Sequence, residues 1–434
     1  MNDTPRQATR LEAIGGRFDP WLLGAMLALA SLGVVMVASA SIYQHGNPFY
    51  YLIRHGMFLV AGAGLAWWVT RTELKSIEAR NHLLLLGCVV LLLMVFVPGL
   101  GVSVKGAHRW INLGVSNFQV VEVVKVFFIV WLASYLVRFR DEVNATWAAM
   151  LKPLGVVVLL VALLLMQPDF GSSSLLLAIT AGMLVLGGVN MPRMFGPVLV
   201  GLPVLAVIAI AEPYRMRRLT SFSDPWADPF GSGYQLTNAL MAIGRGEWAG
   251  IGLGGSVLKL NYLPEVHTDF IFSVIGEELG FVGICLVIAL YALLVGRAFV
   301  IGLRCVEMRR HFAGYVAFGV ALWIGMQSFV SMGVNLGLLP TKGLTLPLIS
   351  SGGSSILMTC VAMGLLLRVS YELERTQRQV ALRGEALQTT PGGEARAPAD
   401  ARPAAPQPAP SLSETLRGTS RLRSRVEPTF ERIA

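Results

Sequence analysis

The sequence predicts an all-α polytopic integral membrane protein. Of its 434 residues, 14% are charged and 54% are hydrophobic, and the mean hydropathy is +0.62. Soluble domains carry about 25% charged residues, so a water-facing surface of ordinary size is excluded. Several uncharged runs also reach the roughly 20 residues that a helix needs to cross a bilayer. A bundle of membrane-spanning helices is therefore the expected fold.

The apolar runs divide the chain into about ten predicted transmembrane helices. A large extracytoplasmic loop, residues 212–268, separates spans seven and eight. This loop is too long to be a bare connection, and Tyr234 to Glu247 within it is expected to form a short amphipathic helix. The predicted spans lie near 20–42, 52–70, 82–98, 117–137, 151–167, 171–189, 194–211, 269–296, 312–333 and 354–370.

The distribution of positive charge predicts how the chain is oriented. Lysine and arginine concentrate before the first span and in the loops that follow even-numbered spans, which predicts that both termini are cytoplasmic. The net charge of +9 therefore reflects membrane orientation and does not indicate a nucleic-acid-binding surface. The predicted outer segments are 99–116, 212–268 and 334–353.

Composition divides the chain into three parts. Residues 1–19 are polar and form a predicted cytoplasmic segment, and residues 20–370 form the membrane domain. Large apolar residues are scarce from Thr376 onward, which predicts a disordered cytoplasmic tail over 371–434. The four cysteines lack disulfide or metal-ligand spacing and are expected to be small apolar side chains.

Two short motifs in the outer loop match known signatures but lack their context. Residues 250–255 fit G-x-G-x-x-G. No strand precedes them and no βαβ unit surrounds them, so they predict a flexible turn and not a dinucleotide site. Ser256-Val-Leu-Lys259 fits the S-x-x-K signature of penicillin-binding proteins, but the accompanying S-D-N and K-T-G elements are missing. A chance match is therefore expected.

Asp269 stands where the long outer loop runs into the eighth apolar span. An acidic residue at the mouth of a membrane helix is costly unless water, a partner or a reaction needs it. Two interpretations are open at this point. Asp269 is either the N-cap of the helix, a position that aspartate favours, or a functional carboxylate.

Two further polar clusters lie in predicted outer turns. Residues 105–112 include Lys105 and Arg109, which follow the third span. Residues 167–172 join spans five and six in a tight turn, and Asp169 within them is expected to be the N-cap of span six.

The remaining clusters lie at the outer ends of spans. Gln119, Glu122 and Lys125 follow helical spacing, and the i, i+3 interval allows a structural pair between Glu122 and Lys125. Residues 335–355 carry Lys342 between two prolines, and a run of small polar residues follows. Irregular backbone at this depth is tolerated only where protein buries it or water reaches it. Lys342 is either a functional cation or a side chain that extends to the headgroups.

Together these segments resemble the SEDS family (shape, elongation, division and sporulation), the polytopic peptidoglycan glycosyltransferases. The resemblance covers about residues 20–370. Within the family, the sequence is most similar to the cell-division member, and the rod-elongation member comes next. Two positions depart from the family pattern: Val120-Val121 replaces Pro-Ser, and Ser351 replaces a tyrosine. The segments that carry the resemblance are Arg109-Trp110-Ile111, Gln167-Pro168-Asp169, Tyr234-Gln235, Pro264-Glu265-Val266-His267-Thr268-Asp269-Phe270 and Pro340-Thr341-Lys342-Gly343.

The resemblance implies polymerisation of lipid II, a disaccharide-peptide on undecaprenyl pyrophosphate, during septal cell-wall synthesis. Asp269 matches the family's essential aspartate and would be the general base. Cations would hold the pyrophosphate, and a divalent cation, Mg2+ or Mn2+, with Asp269 as a ligand, is left open. The residues expected to bind substrate are Lys342, Arg109, Lys105, Arg215, Arg217, Arg218, Gln119, Glu122, Tyr234, Gln235, His267 and Ser354.

The resemblance also implies partners and a location. The chain would act at the outer face of the inner membrane, at the division septum, on lipid II and the nascent glycan strand. A class B penicillin-binding transpeptidase and other membrane proteins of the division complex are the expected partners. Two rival functions are a lipid II flippase or transporter and a non-catalytic scaffold. A transporter is expected to have matched broken helices in two halves of the chain, and the sequence shows no clear internal repeat. A scaffold is expected to keep its function when Asp269 is changed.

Overall fold

The structure is a computed structural model that describes residues 15–42, 49–104, 107–112, 114, 116–211, 213–257, 259–260, 263 and 266–389. The helices in these residues are α1 (Pro20–Ser41), α2 (Tyr50–Arg71), α3 (Leu74–Ala79), α4 (Asn81–Met94), α5 (Val120–Arg138), α6 (Arg140–Ala145), α7 (Trp147–Met166), α8 (Phe170–Leu186), α9 (Met191–Ala211), α10 (Pro213–Ser223), α11 (Tyr234–Arg245), α12 (Ile271–Glu307), α13 (His311–Asn335) and α14 (Gly353–Thr389). The strands are β1 (Gly101–Val104), β2 (Ala107–Asn112) and β3 (Asn117–Gln119).

The ten predicted spans each coincide with a helix. Within the described residues, seven helices are long and apolar enough to cross a membrane: α1, α2, α7, α9, α12, α13 and α14. Two shorter apolar helices, α4 and α8, and the 19-residue α5 account for the other three spans. The predicted polytopic helical membrane fold is therefore confirmed.

A small antiparallel sheet between α4 and α5 departs from the all-α prediction. Its strands lie in the order β1-β2-β3, and Val102 pairs with Trp110 across the first two. Strands of three to six residues escape a search for apolar runs of membrane length, although their β-branched and aromatic residues favour this structure. The pairing satisfies backbone groups next to the membrane. It also positions Arg109 in β2 and Gln119 at the end of β3.

Two other segments are more ordered than predicted. Helix α10 forms within the long loop, where only the amphipathic helix now seen as α11 was expected. Helix α14 continues to Thr389, so the prediction of disorder from residue 371 is wrong for residues 371–389. This extension is rich in helix-favouring residues, and Arg378 pairs with Glu374 one turn earlier at 2.9 Å. The predicted tail from residue 390 lies outside the described residues.

Helix α13 lies at the centre of the bundle and is buried along most of its length. It packs against α12, α5 and α8, and α1 packs against the other side of α12. The closest approach of α12 and α13 needs small residues, because a Cβ on Gly302 would lie 2.5 Å from the Phe318 ring. The irregular segment that joins α13 to α14 therefore starts from the middle of the molecule.

Helix α12 is interrupted near its beginning. Gly280 has φ 65° and ψ −162°, a backbone conformation that is essentially restricted to glycine. The interruption separates a short helix, residues 271–279, from the long remainder of α12. We call residues 271–279 the leading half-helix.

Candidate active site

The candidate site is built around residues 336–352, which join α13 to α14 without regular structure and which we call the site loop. Ser350 Oγ donates to the carbonyl of Thr268 at 2.6 Å, and the Ser351 amide donates to the carbonyl of His267 at 2.8 Å. Ser350 Oγ also accepts from the Leu346 amide at 2.8 Å. These bonds hold the site loop against the turn that precedes α12.

Asp269 lies in that turn but is not the N-cap of α12. The helix begins at Ile271 with Phe270 in the N-cap position, so the capping interpretation is wrong. The capping role is supplied by another helix: Asn335 Oδ1 accepts from the Ser273 amide at 3.1 Å and from Ser273 Oγ at 2.7 Å. Asn335 Nδ2 also donates to the carbonyl of Asp269 at 2.9 Å. The fully buried Asn335 thus fixes the backbone on both sides of the helix start.

The carboxylate of Asp269 faces the site loop at Gly343. A Cβ added to Gly343 would lie 2.9 Å from Asp269 Oδ2. A side chain at this position would therefore press on the carboxylate, and the absence of one allows the close approach. Because Gly343 follows Lys342, the candidate base and the candidate cation belong to adjoining parts of one site.

Lys342 is held by an aromatic ring. Its Nζ lies 4.9 Å from the centroid of the Phe170 ring, a cation–π arrangement. Within the described part of the chain it makes no salt bridge. Burial lowers the pKa of Lys342 below its usual 10.5, and the neighbouring Asp169 carboxylate raises it in part. At neutral pH, the free-energy difference between protonated and neutral Lys342 is therefore smaller than for an exposed lysine.

Arg109 and Asp169 border the same space. Arg109 Nε donates to the carbonyl of Gln167 at 3.2 Å, and its Nη2 donates to the carbonyl of Pro168. Its Nη1 lies 3.8 Å from Asp169 Oδ1. Asp169 caps α8 by accepting from the Ser172 amide at 3.1 Å, which confirms that prediction. The guanidinium is thus aimed chiefly at carbonyl oxygens and keeps its positive charge.

Helix α10 brings another cation to the site loop. Arg218 Nη1 donates to the carbonyl of Thr341 at 2.8 Å. The side chains of Arg215 and Arg217 and all of Lys105 lie outside the described residues. Lys342, Arg109 and Arg218 are therefore the predicted cations that the structure brings together.

A buried network lies beneath the site loop and contains the predicted pair of α5. Lys125 Nζ donates to Glu122 Oε1 at 2.9 Å, which confirms the structural pair. It also donates to Gln327 Oε1 at 2.8 Å, and Gln327 Nε2 donates to the carbonyl of Thr345 at 2.9 Å. Within the described residues, Glu122 Oε2 has no hydrogen-bond partner. The network ties α5 and α13 to the site loop.

The structure assigns the other predicted substrate-binding residues to the following elements. The ring of His267 lies against that of Tyr51 in a tilted arrangement, with the ring centroids 4.1 Å apart. Gln119 ends β3 immediately before α5, and Ser354 is buried in the first turn of α14. The half-buried residues that begin α11 are Tyr234 and Gln235.

The described residues do not form a protein-only metal site. Within them, no three His, Cys, Asp or Glu side chains come together in a group that would hold a metal ion. The acidic groups next to the site loop are Asp269 and Asp169, and Asp169 is already engaged with Ser172 and Arg109. Among the described residues, the side chains next to the site loop therefore do not fit a tightly held divalent cation without further ligands.

The sequence that forms this site matches a known protein family. Residues 20–375 match the FtsW/RodA/SpoVE family, described as cell cycle proteins. The chain belongs to this family. This match confirms the predicted resemblance to the SEDS family. Relatives named FtsW confirm the predicted similarity to its cell-division member.

Two relatives and two solved structures illustrate the similarity. A relative from Xanthomonas oryzae pv. oryzae, named probable peptidoglycan glycosyltransferase FtsW, is 67% identical over 100% of this chain and 94% of its own length. A relative of the same name from Legionella pneumophila is 47% identical over 82% of this chain and 91% of its own length. A structure described as structural coordination of polymerization and crosslinking by a peptidoglycan synthase complex matches with a TM-score of 0.68 at 29% identity, covering 82% of this chain and 98% of that chain. The rod shape determining protein RodA of Thermus thermophilus matches with a TM-score of 0.59 at 28% identity, covering 81% of this chain and 96% of that chain.

Sequence reasoning did not recognise the polar face of α13 that supports the site, although Asn335 begins the predicted cluster 335–355. Gln327, Ser331 and Asn335 recur every four residues on an otherwise apolar helix, and all three are buried. Polar side chains at i, i+4, i+8 share one helix face. This stripe in a membrane span was the signal that they face a polar partner and not lipid.

Proposed function

We propose that the chain is a peptidoglycan glycosyltransferase that polymerises lipid II, with Asp269 as its general base. Curated relatives that are 46–67% identical are named probable peptidoglycan glycosyltransferases. The observation that carries the proposal is the approach of the Asp269 carboxylate to Gly343, next to a lysine that makes no salt bridge within the described residues. A base beside a cation is what displacement of a pyrophosphate by a hydroxyl requires.

The proposed reaction moves one sugar chain from a pyrophosphate to a hydroxyl. The acceptor oxygen forms the new glycosidic bond to the anomeric carbon of the donor as the bond from that carbon to the pyrophosphate oxygen breaks. Asp269 takes the hydroxyl proton, and the electron pair of the broken bond leaves with the pyrophosphate. Lys342, Arg109 and Arg218 stabilise the negative charge that develops there. Arginine suits this role because its planar fork matches phosphate oxygens.

The proposed setting is the outer face of the inner membrane at the division septum, together with a class B penicillin-binding transpeptidase. The relatives' name FtsW supports the division role over rod elongation. A solved structure of the same fold is described as a complex that coordinates polymerization with crosslinking, which supports a transpeptidase partner. Other membrane proteins of the division complex and the nascent glycan strand complete the proposal.

The orientation has its own test. The arginine and lysine distribution predicts that a reporter fused after Gly231 reports the periplasm and that one fused after Arg309 reports the cytoplasm. Reversed signals at either point would place the site on the wrong side for an outer-face reaction.

The decisive experiment replaces Asp269 with asparagine. Asp269→Asn keeps the size of the side chain and removes the proton acceptor, and Asn335 still caps α12, so the variant is expected to fold. We expect polymerisation of purified lipid II to fall by roughly a hundredfold or more. The readouts are glycan-strand length on gels, lipid II binding and thermal stability.

The matched control is Asp141→Asn, the same change on the exposed helix α6 at the opposite end of α5. It is expected to retain wild-type glycan output. A stable Asp269→Asn protein with the same output as this control would contradict the proposed base.

A further inference from the structure

A further buried polar cluster lies at the interruption of α12, and we call it the break cluster. It joins α1, the loop after α11 and the leading half-helix. All five of its side chains are at most 7% exposed: Ser39, Ser256, Lys259, Glu277 and Glu278. Both polar residues of the S-x-x-K match, Ser256 and Lys259, belong to this cluster and therefore have a structural role here.

Glu278 connects three elements. Lys259 Nζ donates to Glu278 Oε1 at 2.9 Å, and Ser39 Oγ lies 2.7 Å from both carboxylate oxygens. The same lysine donates to the carbonyl of Gly254 at 2.8 Å and approaches Ser39 Oγ at 3.3 Å. Buried charges persist only when they are paired and hydrogen-bonded in this way.

Glu277 is held by the same loop. Ser256 Oγ donates to its Oε2 at 2.5 Å, and the Val257 amide donates to its Oε1 at 3.1 Å. The half-exposed guanidinium of Arg245, the last residue of α11, lies 3.7 Å from Oε1. The two consecutive acids thus fasten the loop to the leading half-helix from both sides.

The loop also completes the backbone of the interrupted helix. The amides of Ile251 and Gly252 donate to the carbonyls of Glu277 and Glu278 at 3.1 Å each. On the other side of Gly280, two amides of α12 donate back to the loop: Phe281 to Glu247 at 2.9 Å and Val282 to Trp248 at 3.2 Å. The loop therefore supplies hydrogen-bond partners to backbone groups on both sides of the interruption, where the helix cannot satisfy them itself.

We propose that Lys259 and Glu278 are positioning residues for Asp269: with Ser39 they fix the angle of the leading half-helix to α1. The proposal rests on the role of Asp269 proposed above. Asp269 lies 11 residues before Gly280, which corresponds to a lever of about 16 Å at the rise of an α-helix. A tilt of roughly 4° at Gly280 would move Asp269 by about 1 Å, a displacement that costs an enzyme about a hundredfold in rate.

The opposite end of the same helix pair provides a matched control. Arg297 of α12 forms a salt bridge with Asp19, the N-cap of α1. This pair joins the same two helices as the break cluster but lies beyond the interruption, on the long part of α12. Its loss cannot tilt the leading half-helix about Gly280. Arg297→Gln is therefore expected to change thermal stability while leaving kcat unchanged.

The test measures kcat and KM for lipid II in Lys259→Met, Glu278→Gln and the double variant. Each single variant leaves one buried charge without its partner, so we expect kcat to fall at least tenfold with KM within twofold. The double variant removes both charges and keeps an amide that can bond Ser39, so its kcat should lie between that of either single variant and that of the wild type. Hydrogen exchange in residues 269–279 should be faster in the single variants and return toward wild type in the double.

A cycle with Asp269→Asn shows whether the cluster acts through Asp269. Adding Lys259→Met to Asp269→Asn should cause no further loss of the residual glycan output, because the positioned carboxylate is already gone. Losses that multiply would overturn the proposal, as would wild-type kcat in a folded single variant. If a single variant does not fold, a double variant with kcat equal to wild type overturns it, and one with reduced kcat and faster exchange supports it. An active Asp269→Asn would instead refute the proposed base, so the two failures are distinguishable.

Discussion

The break cluster and the polar groups at the site loop differ in how they hold charged side chains. In the break cluster, Lys259 and Glu278 meet at 2.9 Å and each has further hydrogen-bond partners. At the site loop, Arg109 is directed at carbonyl oxygens with Asp169 3.8 Å away, and Lys342 lies over an aromatic ring. Carbonyls and rings orient a cation without neutralising it. The first arrangement fixes geometry, and the second keeps positive charge available for an anion.

This difference predicts which charges the reaction needs. Removing Lys342 should reduce activity with little loss of stability, because this lysine makes no salt bridge within the described residues. Removing a side chain from the break cluster should reduce stability as well, by about 3–5 kcal/mol for a buried pair that loses one member. Variants of Lys342 and Gly343 at the site loop test this comparison.

Lys342→Ala should have the largest effect, a loss of about a hundredfold in kcat for lipid II polymerisation, because the charge facing the pyrophosphate is removed. Lys342→Arg should keep part of the activity. Thermal unfolding should change little in either variant. Near-normal turnover in Lys342→Ala would mean that the side chain merely extends to the headgroups.

Gly343→Ala should have a smaller effect, roughly a tenfold loss, because the new methyl group displaces the Asp269 carboxylate by less than about 1 Å. The comparison is Gly155→Ala in α7, where an added Cβ meets nothing within 4 Å. The measurement is kcat at saturating lipid II alongside the melting temperature. Equal activity in the two variants would show that the carboxylate has room to move without consequence.

The pH dependence should show the smallest change. Lys342 binds pyrophosphate only when protonated, so activity should fall as pH rises through its pKa. Since burial lowers that pKa, the fall should begin below 10.5. Lys342→Arg remains charged, so its alkaline limb should move to higher pH. A pH profile of kcat/KM for both proteins checks this, and identical limbs would contradict the assignment.

Much of the fold follows from apolar run length, and this is why each of the ten predicted spans coincides with a helix in the described residues. Hydrophobic length is a local property, because a bilayer imposes the same requirement on every span. The polar clusters between the apolar runs could likewise be recognised from the sequence alone. The structure brings Arg109, Asp169 and Lys342 from three of these clusters together. Which polar groups meet was inferred from family resemblance and not from spacing.

The rest depends on contacts between distant parts of the chain. The cap of α12 comes from Asn335, 62 residues after Ser273, and no local pattern predicts a cap supplied by another helix. The structural role of Ser256 and Lys259 depends on their contacts with Glu277 and Glu278, which come later in the chain, in the leading half-helix. The sheet was missed because its pairing energy comes from cross-strand neighbours and not from single-strand composition.

The break cluster also has a consequence for how the protein enters the membrane. Ribosomes deliver the chain from the N-terminus onward, so Ser39 is made first, Ser256 and Lys259 follow, and the two acids come last. A charged residue near the centre of an isolated membrane helix raises the free energy of insertion by about 2.5–3.5 kcal/mol. Because Ser39 and Lys259, the side-chain donors to Glu278 among the described residues, precede it in the chain, α12 reaches the translocon with these partners already synthesised. Insertion of this helix is therefore expected to depend on the segments upstream and to fail when α12 is presented alone.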